Sequence, residues 1–161
     1  MDMNAIYWII LIMIAIALFS FLFRVAKSAD AKSRIKELKN NSIEVTPEQF
    51  FKIRNTKHAT KGRKNVSTDK DFEGIYIIFN HSKNMYYVGQ SKRVLQRVNN
   101  HFTGKGNGDV YADYKYGNQF TITMIGLENS GFSTLNELER NAIATYSAYS
   151  KGYNKTRGNK G

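Results

Sequence analysis

The stretch GIYIIFNHSKNMYYVGQSKRVLQRVNNHF, residues 74–102, decides the fold. Gly74 to Phe79 is rich in β-branched and aromatic residues, the types that pack well on a pleated surface. Asn80-His81-Ser82-Lys83-Asn84 reads as a turn, and Met85 to Val88 as a second strand, so the two form a hairpin. From Ser91 to Phe102 the period changes to helical, with Val94, Leu95, Val98 and Phe102 on one stripe. Arg93, Arg97 and His101 recur every four residues along one flank of that helix.

Working toward the C-terminus, Thr103-Gly104-Lys105-Gly106-Asn107-Gly108 is a loop. It lacks the Gly-Lys-Ser/Thr ending of a nucleotide-binding loop, which excludes that reading. Asp109 to Tyr116 is expected as a short helix and Phe120 to Ile125 as a third strand. Thr134 and Glu137 form a capping box that opens a last helix running to Tyr149, with Gly152 in its C-terminal turn. The order β-β-α-α-β-α predicts an α+β domain, a small, mainly antiparallel, three-stranded sheet flanked by helices. One residue of the last helix breaks its pattern. Glu139 lies inside the apolar stripe of Leu135, Leu138, Ala142, Ile143, Tyr146 and Tyr149. A carboxylate there is costly unless a cation or hydrogen bonds satisfy it. A buried structural ion pair and a functional carboxylate are both open on this pattern alone.

Toward the N-terminus, Thr46-Pro47-Glu48-Gln49 is a helix start within a 46–71 segment of short helix and basic loop. The loop carries Lys61, Arg63 and Lys64 among small polar residues. It reads as a solvated loop or as an arm that contacts nucleic-acid phosphates without reading sequence. Ala5 to Phe23 is 19 residues without a charge. As a helix it spans about 28 Å, close to the thickness of a bilayer core. Only Asp2 is charged before it, which disfavours a cleaved signal peptide. The chain is therefore expected to carry one N-terminal transmembrane helix, 5–23, after a short extracytoplasmic end, 1–4. Six Lys/Arg follow between Arg24 and Lys39, and none precedes Tyr7. The positive-inside rule then puts the N-terminus outside and the rest in the cytoplasm, in a single-pass protein of the cell membrane. Residues 24–45 are expected as a basic stalk or linker that continues to about Asn40 as a solvated helix or a flexible stalk, and the 24–39 part as a contact for anionic lipid. The main domain covers 72–158, with a tail at 159–161.

Composition narrows the chemistry. The net charge is +11, and residues 24–70 hold 13 Lys/Arg against 5 Asp/Glu, a balance that fits nucleic acid or anionic lipid. There is no cysteine, so disulfides, thiolate metal sites and a cysteine nucleophile are excluded. His58, His81 and His101 form no pair at metal-binding helical spacing.

Gly74-Ile75-Tyr76, ten residues of hairpin, and Tyr87-Val88-Gly89, followed by Arg97, His101, Glu139 and Tyr153-Asn154 in that order, resemble the GIY-YIG nuclease superfamily. The likeness covers roughly Phe72 to Gly158. Val88 is a conservative departure. Gln90 stands where excision-repair relatives carry a lysine, which bears on subfamily and not on activity. The resemblance implies a membrane-anchored endonuclease that hydrolyses phosphodiester bonds in DNA with one Mg²⁺ or Mn²⁺. Glu139 would be its sole carboxylate ligand. Arg97 would clamp phosphate oxygens with its fixed fork. Tyr76 would be a general base or proton relay, with its hydroxyl pKa lowered by neighbours. Tyr87 would position water or phosphate, and His101 would transfer a proton or contact phosphate. Asn154 is implied as support beside these catalytic residues. Gly89 and Arg93 join Lys61, Arg63 and Lys64 as candidate nucleic-acid contacts. Taken singly, the tyrosines read equally as core residues and Arg97 and His101 as a solvated face. The alternative function is a membrane-tethered nucleic-acid-binding module on the same scaffold that no longer cuts.

Overall fold

The hairpin expected from residue 74 forms the middle of the sheet. The computed structural model describes residues 3–56 and 70–159. Its elements are α1 (Met3–Asn40), β1 (Glu44–Val45), α2 (Pro47–Arg54), β2 (Gly74–Asn80), β3 (Met85–Ser91), α3 (Val94–Phe102), α4 (Gly108–Lys115), β4 (Phe120–Gly126) and α5 (Leu135–Thr145). The sheet order is β1-β4-β2-β3, antiparallel throughout. β2 is paired along its whole length on both sides, Gly74 to Ser91 on one and Gly74 to Gly126 on the other.

Alternation along the strands splits the core in two. Tyr76 and Ile78 of β2 face Val94, Val98 and Phe102 of α3 and Val110 of α4. Ile75 and Ile77 face Leu138, Ala142 and Ile143 of α5 and Ile35 of α1. Helices thus cover both faces, which explains why β2 is nearly continuously apolar.

The sheet has four strands, not the three expected. β1 is only two residues long, too short for a period-2 pattern to show, and it pairs Glu44 with Thr123 and Val45 with Ile122. The stalk takes the helical form of the two expected, but not the solvated state. α1 runs without a break from the apolar segment to Asn40, and its last turns are docked rather than solvated. Ile35 is fully buried, Leu38 packs beside it, and Arg34 Nε donates to Ser130 O at 3.0 Å. Lys39 meets Glu44 at 2.6 Å, tying the helix to β1. Within α1, residues 7–30 are exposed. α1 is one helix long and apolar enough to cross a membrane.

Local signals were mixed in their reach. Thr46 and Gln49 make the full capping box. α3 starts at Val94 instead of Ser91 because its cap is remote. Asp71 accepts from Leu95 N at 2.7 Å and Gln96 N at 3.1 Å. α5 ends at Thr145, short of Tyr149. Ser147 adopts the left-handed conformation (φ 52°) and Ala148 N bonds back to Ile143 O, so serine takes the terminating place usual for glycine.

Candidate active site

The site begins with a cross-strand pair. Tyr76 on β2 lies opposite Gly89 on β3, and its ring runs over the glycine. A Cβ at position 89 would overlap the Tyr76 hydroxyl, so glycine is required there. Tyr76 is 1% exposed, and its Oη lies 2.9 Å from His101 Nε2. On the far side of that ring, Asn107 N donates to His101 Nδ1 at 2.8 Å. The tautomer follows from this geometry. Nδ1 is an acceptor, so in the neutral ring Nε2 carries the hydrogen and donates to Tyr76 Oη. Tyr76's own proton must then point away from His101. Burial, helped by the charge of Arg97, pushes the His101 pKa down to about 4, which keeps the ring neutral.

His101 reaches this place through helix geometry. Positions four apart drift by about 40° around a helix. From Arg93 to His101 the flank therefore turns inward, leaving Arg93 and Arg97 exposed and His101 fully buried. Direct phosphate contact by His101, one of its expected roles, is corrected here. Both ring nitrogens are engaged inside the protein, one by Tyr76 Oη and the other by Asn107 N.

Tyr87 completes an aromatic triad. Its ring centroid lies 6.1 Å from that of Tyr76 and 4.8 Å from that of His101. Burial raises the pKa of both hydroxyls, and in each case the nearby Arg97 guanidinium pulls the other way without prevailing. The expectation that neighbours would lower Tyr76 is thus not met in the protein alone. Desolvation of the phenolate outweighs the cation.

Glu139 is 8% exposed and has no cationic partner among the described residues, so the structural ion pair is not what holds it. Its Oε2 accepts from Gln90 Nε2 at 3.0 Å and from Asn159 N at 3.3 Å. The Gln90 backbone is a further donor beside this carboxylate. Burial raises its pKa against those donors. Tyr87 feels the charges of both Glu139 and Arg97. Yet Glu139 and Arg97 do not pair with each other, so a carboxylate and a guanidinium remain available around two tyrosines.

The other expected residues divide. Asn154 is a brace and does not face the reacting groups. Its side chain accepts from Val88 N at 2.9 Å and donates to Val88 O at 2.7 Å, fixing β3 between Tyr87 and Gly89. This geometry is that of the support expected of it, not of a group that contacts substrate. Tyr153 is buried and bonded to Asn80 and Asp113, each at 2.6 Å. Arg93 lies 3.6 Å from Asp71, the residue that caps α3. Lys61, Arg63 and Lys64 lie outside the described residues.

Three contributors carried no signal of their role in the sequence. Asn107 fixes His101 and caps α4 through Asp109 N and Val110 N. Gly106 leaves room for the imidazole, since a Cβ would lie 2.5 Å from His101 Nδ1. Gln90 links Glu139 to Asn136, donating to Asn136 Oδ1 at 2.7 Å. The Gly106-Asn107 pair read only as part of a loop, because its partner is a side chain on the preceding helix.

The GIY-YIG catalytic domain family matches residues 72–154. Among solved structures, a mutant of the catalytic domain of intron endonuclease I-TevI is similar at 26% identity and a TM-score of 0.42, over 55% of this chain and 98% of that domain. No curated protein matches the chain. The matched span holds both tyrosines, Arg97, His101 and Glu139, and by it the chain belongs to the GIY-YIG catalytic domain family, a family of nucleases.

Proposed function

We propose that this protein is a membrane-anchored, divalent-metal-dependent endonuclease that cuts DNA at the cytoplasmic face. The observation that carries this reading is a buried carboxylate, Glu139, in a site whose Tyr87 feels both its charge and that of Arg97, each charge without an ion-pair partner among the described residues. Such a pair of opposite charges, held apart, suits a cation and a phosphate better than it suits stability.

The donor chemistry fits a hard cation. No group of three or more His, Cys, Asp or Glu could hold a metal among the described residues. A site with a single carboxylate would need substrate and water oxygens to complete the shell of a hard cation such as Mg²⁺. Glu139 would be that carboxylate, with Oε2 fixed by Gln90. A bound divalent ion supplies charge neutralisation at the phosphoryl oxygens and support for the leaving 3′-oxygen.

The chain's own residues do the rest. Arg97 clamps nonbridging phosphate oxygens. Tyr76 Oη, already accepting from His101, keeps a second lone pair and its own proton for other partners. It takes a proton from the attacking water while passing its own to a phosphate oxygen. The new bond is water oxygen to phosphorus, the broken bond is phosphorus to the 3′-oxygen, and the proton delivered to the phosphate oxygen passes to the 3′-oxygen as it leaves. This relay avoids a free phenolate, which burial disfavours. Tyr87 orients the same water or phosphate.

DNA as substrate is supported by the net charge of +11 and the family's chemistry. The anchor is supported by the length and hydropathy of α1, and its direction by the cations from Arg24 to Lys39. The test uses the full-length chain in detergent micelles with end-labelled duplex DNA. Cleavage in Mg²⁺, abolished by chelator, is expected, and in cells a reporter fused after Gly161 should behave as cytoplasmic. Tight DNA binding without cleavage in any divalent metal would favour the non-cutting module instead.

A further inference from the structure

Beside Glu139, on the adjacent face of α5, lies a groove of about 340 Å³. Ile143 forms its apolar floor, Ser147 and Ser150 give hydroxyls, and Arg140, Arg157 and Tyr149 line it. None of its lining residues is acidic. Arg140 and Arg157 are both exposed, and Tyr149 is 44% exposed although its ring is large and largely apolar. The Arg157 guanidinium lies 5.4 Å from the Tyr149 ring centroid, a stacking distance that orients both side chains. The turn that ends α5 builds this arrangement. With Ser147 in the left-handed conformation, the chain folds back and presents Tyr149 next to Ser150.

One short segment lies against both the groove and Glu139. Gly158 sits where an added Cβ would be 3.4 Å from Glu139 Oε2 and 2.8 Å from Arg140 Cγ. Arg140 Nη1 holds Asn159 O at 3.1 Å, so the same short segment borders the carboxylate and the groove. A chain of phosphates leaving the reacting centre past Gly158 would enter a channel with two guanidinium groups and an aromatic ring.

We propose that this groove holds a nucleotide of the DNA strand flanking the cut, its base against Tyr149 and its phosphate on Arg140 and Arg157. Cationic side chains track a phosphate backbone, and an exposed aromatic supplies a stacking platform that tolerates any base. This rests on the nuclease reading and adds to it a second contact that sets affinity, not sequence. The apolar floor and the serine hydroxyls suit a base edge better than open solvent does.

The experiment measures binding of a fluorescent oligonucleotide to the full-length chain in detergent micelles by anisotropy, in Ca²⁺ or without metal, across a range of salt. The oligonucleotide is long enough to extend from the site across the groove. Tyr149→Ala is expected to weaken binding roughly tenfold, on the scale of one lost base–aromatic stack, and Tyr149→Phe to restore it. Arg157→Ala should lower the salt dependence by about one phosphate contact. Melting temperature is followed in parallel. If wild type binds the oligonucleotide and these variants match it in affinity and salt slope, the groove proposal is overturned while the nuclease reading stands. The groove proposal is overturned equally if the variants lose only melting temperature, or only binding to vesicles containing anionic lipid. If wild type binds no DNA at all, both readings fall together.

Discussion

Acid should destabilise this protein through one buried imidazole. His101 is fully buried, with Nδ1 taken by Asn107 N and Nε2 by Tyr76 Oη, and burial holds its pKa at about 4 instead of 6.5. The folded value lies below the unfolded one, so between these pH values the unfolded chain binds the extra proton. The stabilisation is fully present above pH 6.5 and is lost as the pH falls toward 4. At about 1.36 kcal/mol per pH unit, the gap is worth on the order of 3 kcal/mol. For a domain of this size that is roughly 6–12 °C in melting temperature. Glu139 works the other way. Its pKa is raised by burial, so protonating it as the pH falls relieves the folded state. Glu44, lowered by its hydrogen bond from Lys39, stabilises the fold at higher pH, and that stabilisation is lost only as the pH falls below the ordinary carboxylate value. A comparison isolates His101. The full-length chain in nonionic detergent is melted by near-ultraviolet circular dichroism from pH 7 to pH 4, beside His101→Phe. The variant starts lower because it leaves Asn107 N and Tyr76 Oη without their partner, but it should lose much less than wild type across the window. Parallel losses in the two proteins would refute the buried, neutral imidazole.

Other consequences follow from the packing. Gly89→Ala should displace the Tyr76 ring, costing about 1–3 kcal/mol in stability and cutting cleavage at least about tenfold; wild-type melting and rate would show that the ring does not depend on that glycine. Ile35→Ala, although far from the signature in sequence, should destabilise the nuclease domain by about 2–5 kcal/mol in thermal melts, because the docked end of α1 is part of its core; no change would mean the docking is incidental. Tyr76→Phe and Arg97→Ala should each slow DNA cleavage by about a hundredfold or more in single-turnover assays. For Tyr76→Phe, DNA affinity measured by anisotropy should stay near wild type, since the hydroxyl is assigned to proton transfer; equal losses of affinity and rate would make it a binding group.

Much of this was legible because it was local. The hairpin, the capping box at Thr46 and the carboxylate inside the α5 stripe all announce themselves within a few residues. What escaped depends on residues distant in sequence. β1 exists because Glu44 and Val45 meet β4, and α3 begins where Asp71 caps it from outside the helix. The docking of α1 hangs on Ile35 and Leu38 in a stretch whose charges read as solvated. Within the site, residue types were legible but roles were not. Asn154 and His101 share the signature with Tyr76, yet one braces β3 and the other sits behind the tyrosine. Only the bonds to Val88 and to Asn107 distinguish them.

The central claim is that Glu139 is a carboxylate kept buried for a cation. Its direct test is Glu139→Gln in the full-length chain, with Mn²⁺ binding followed by electron paramagnetic resonance, DNA cleavage in Mg²⁺, and thermal melting. The amide removes a charge that burial disfavours, so the variant should melt at or above the wild-type temperature while losing Mn²⁺ binding and cleavage together. A variant that binds Mn²⁺ and cuts DNA as wild type does would contradict the assignment.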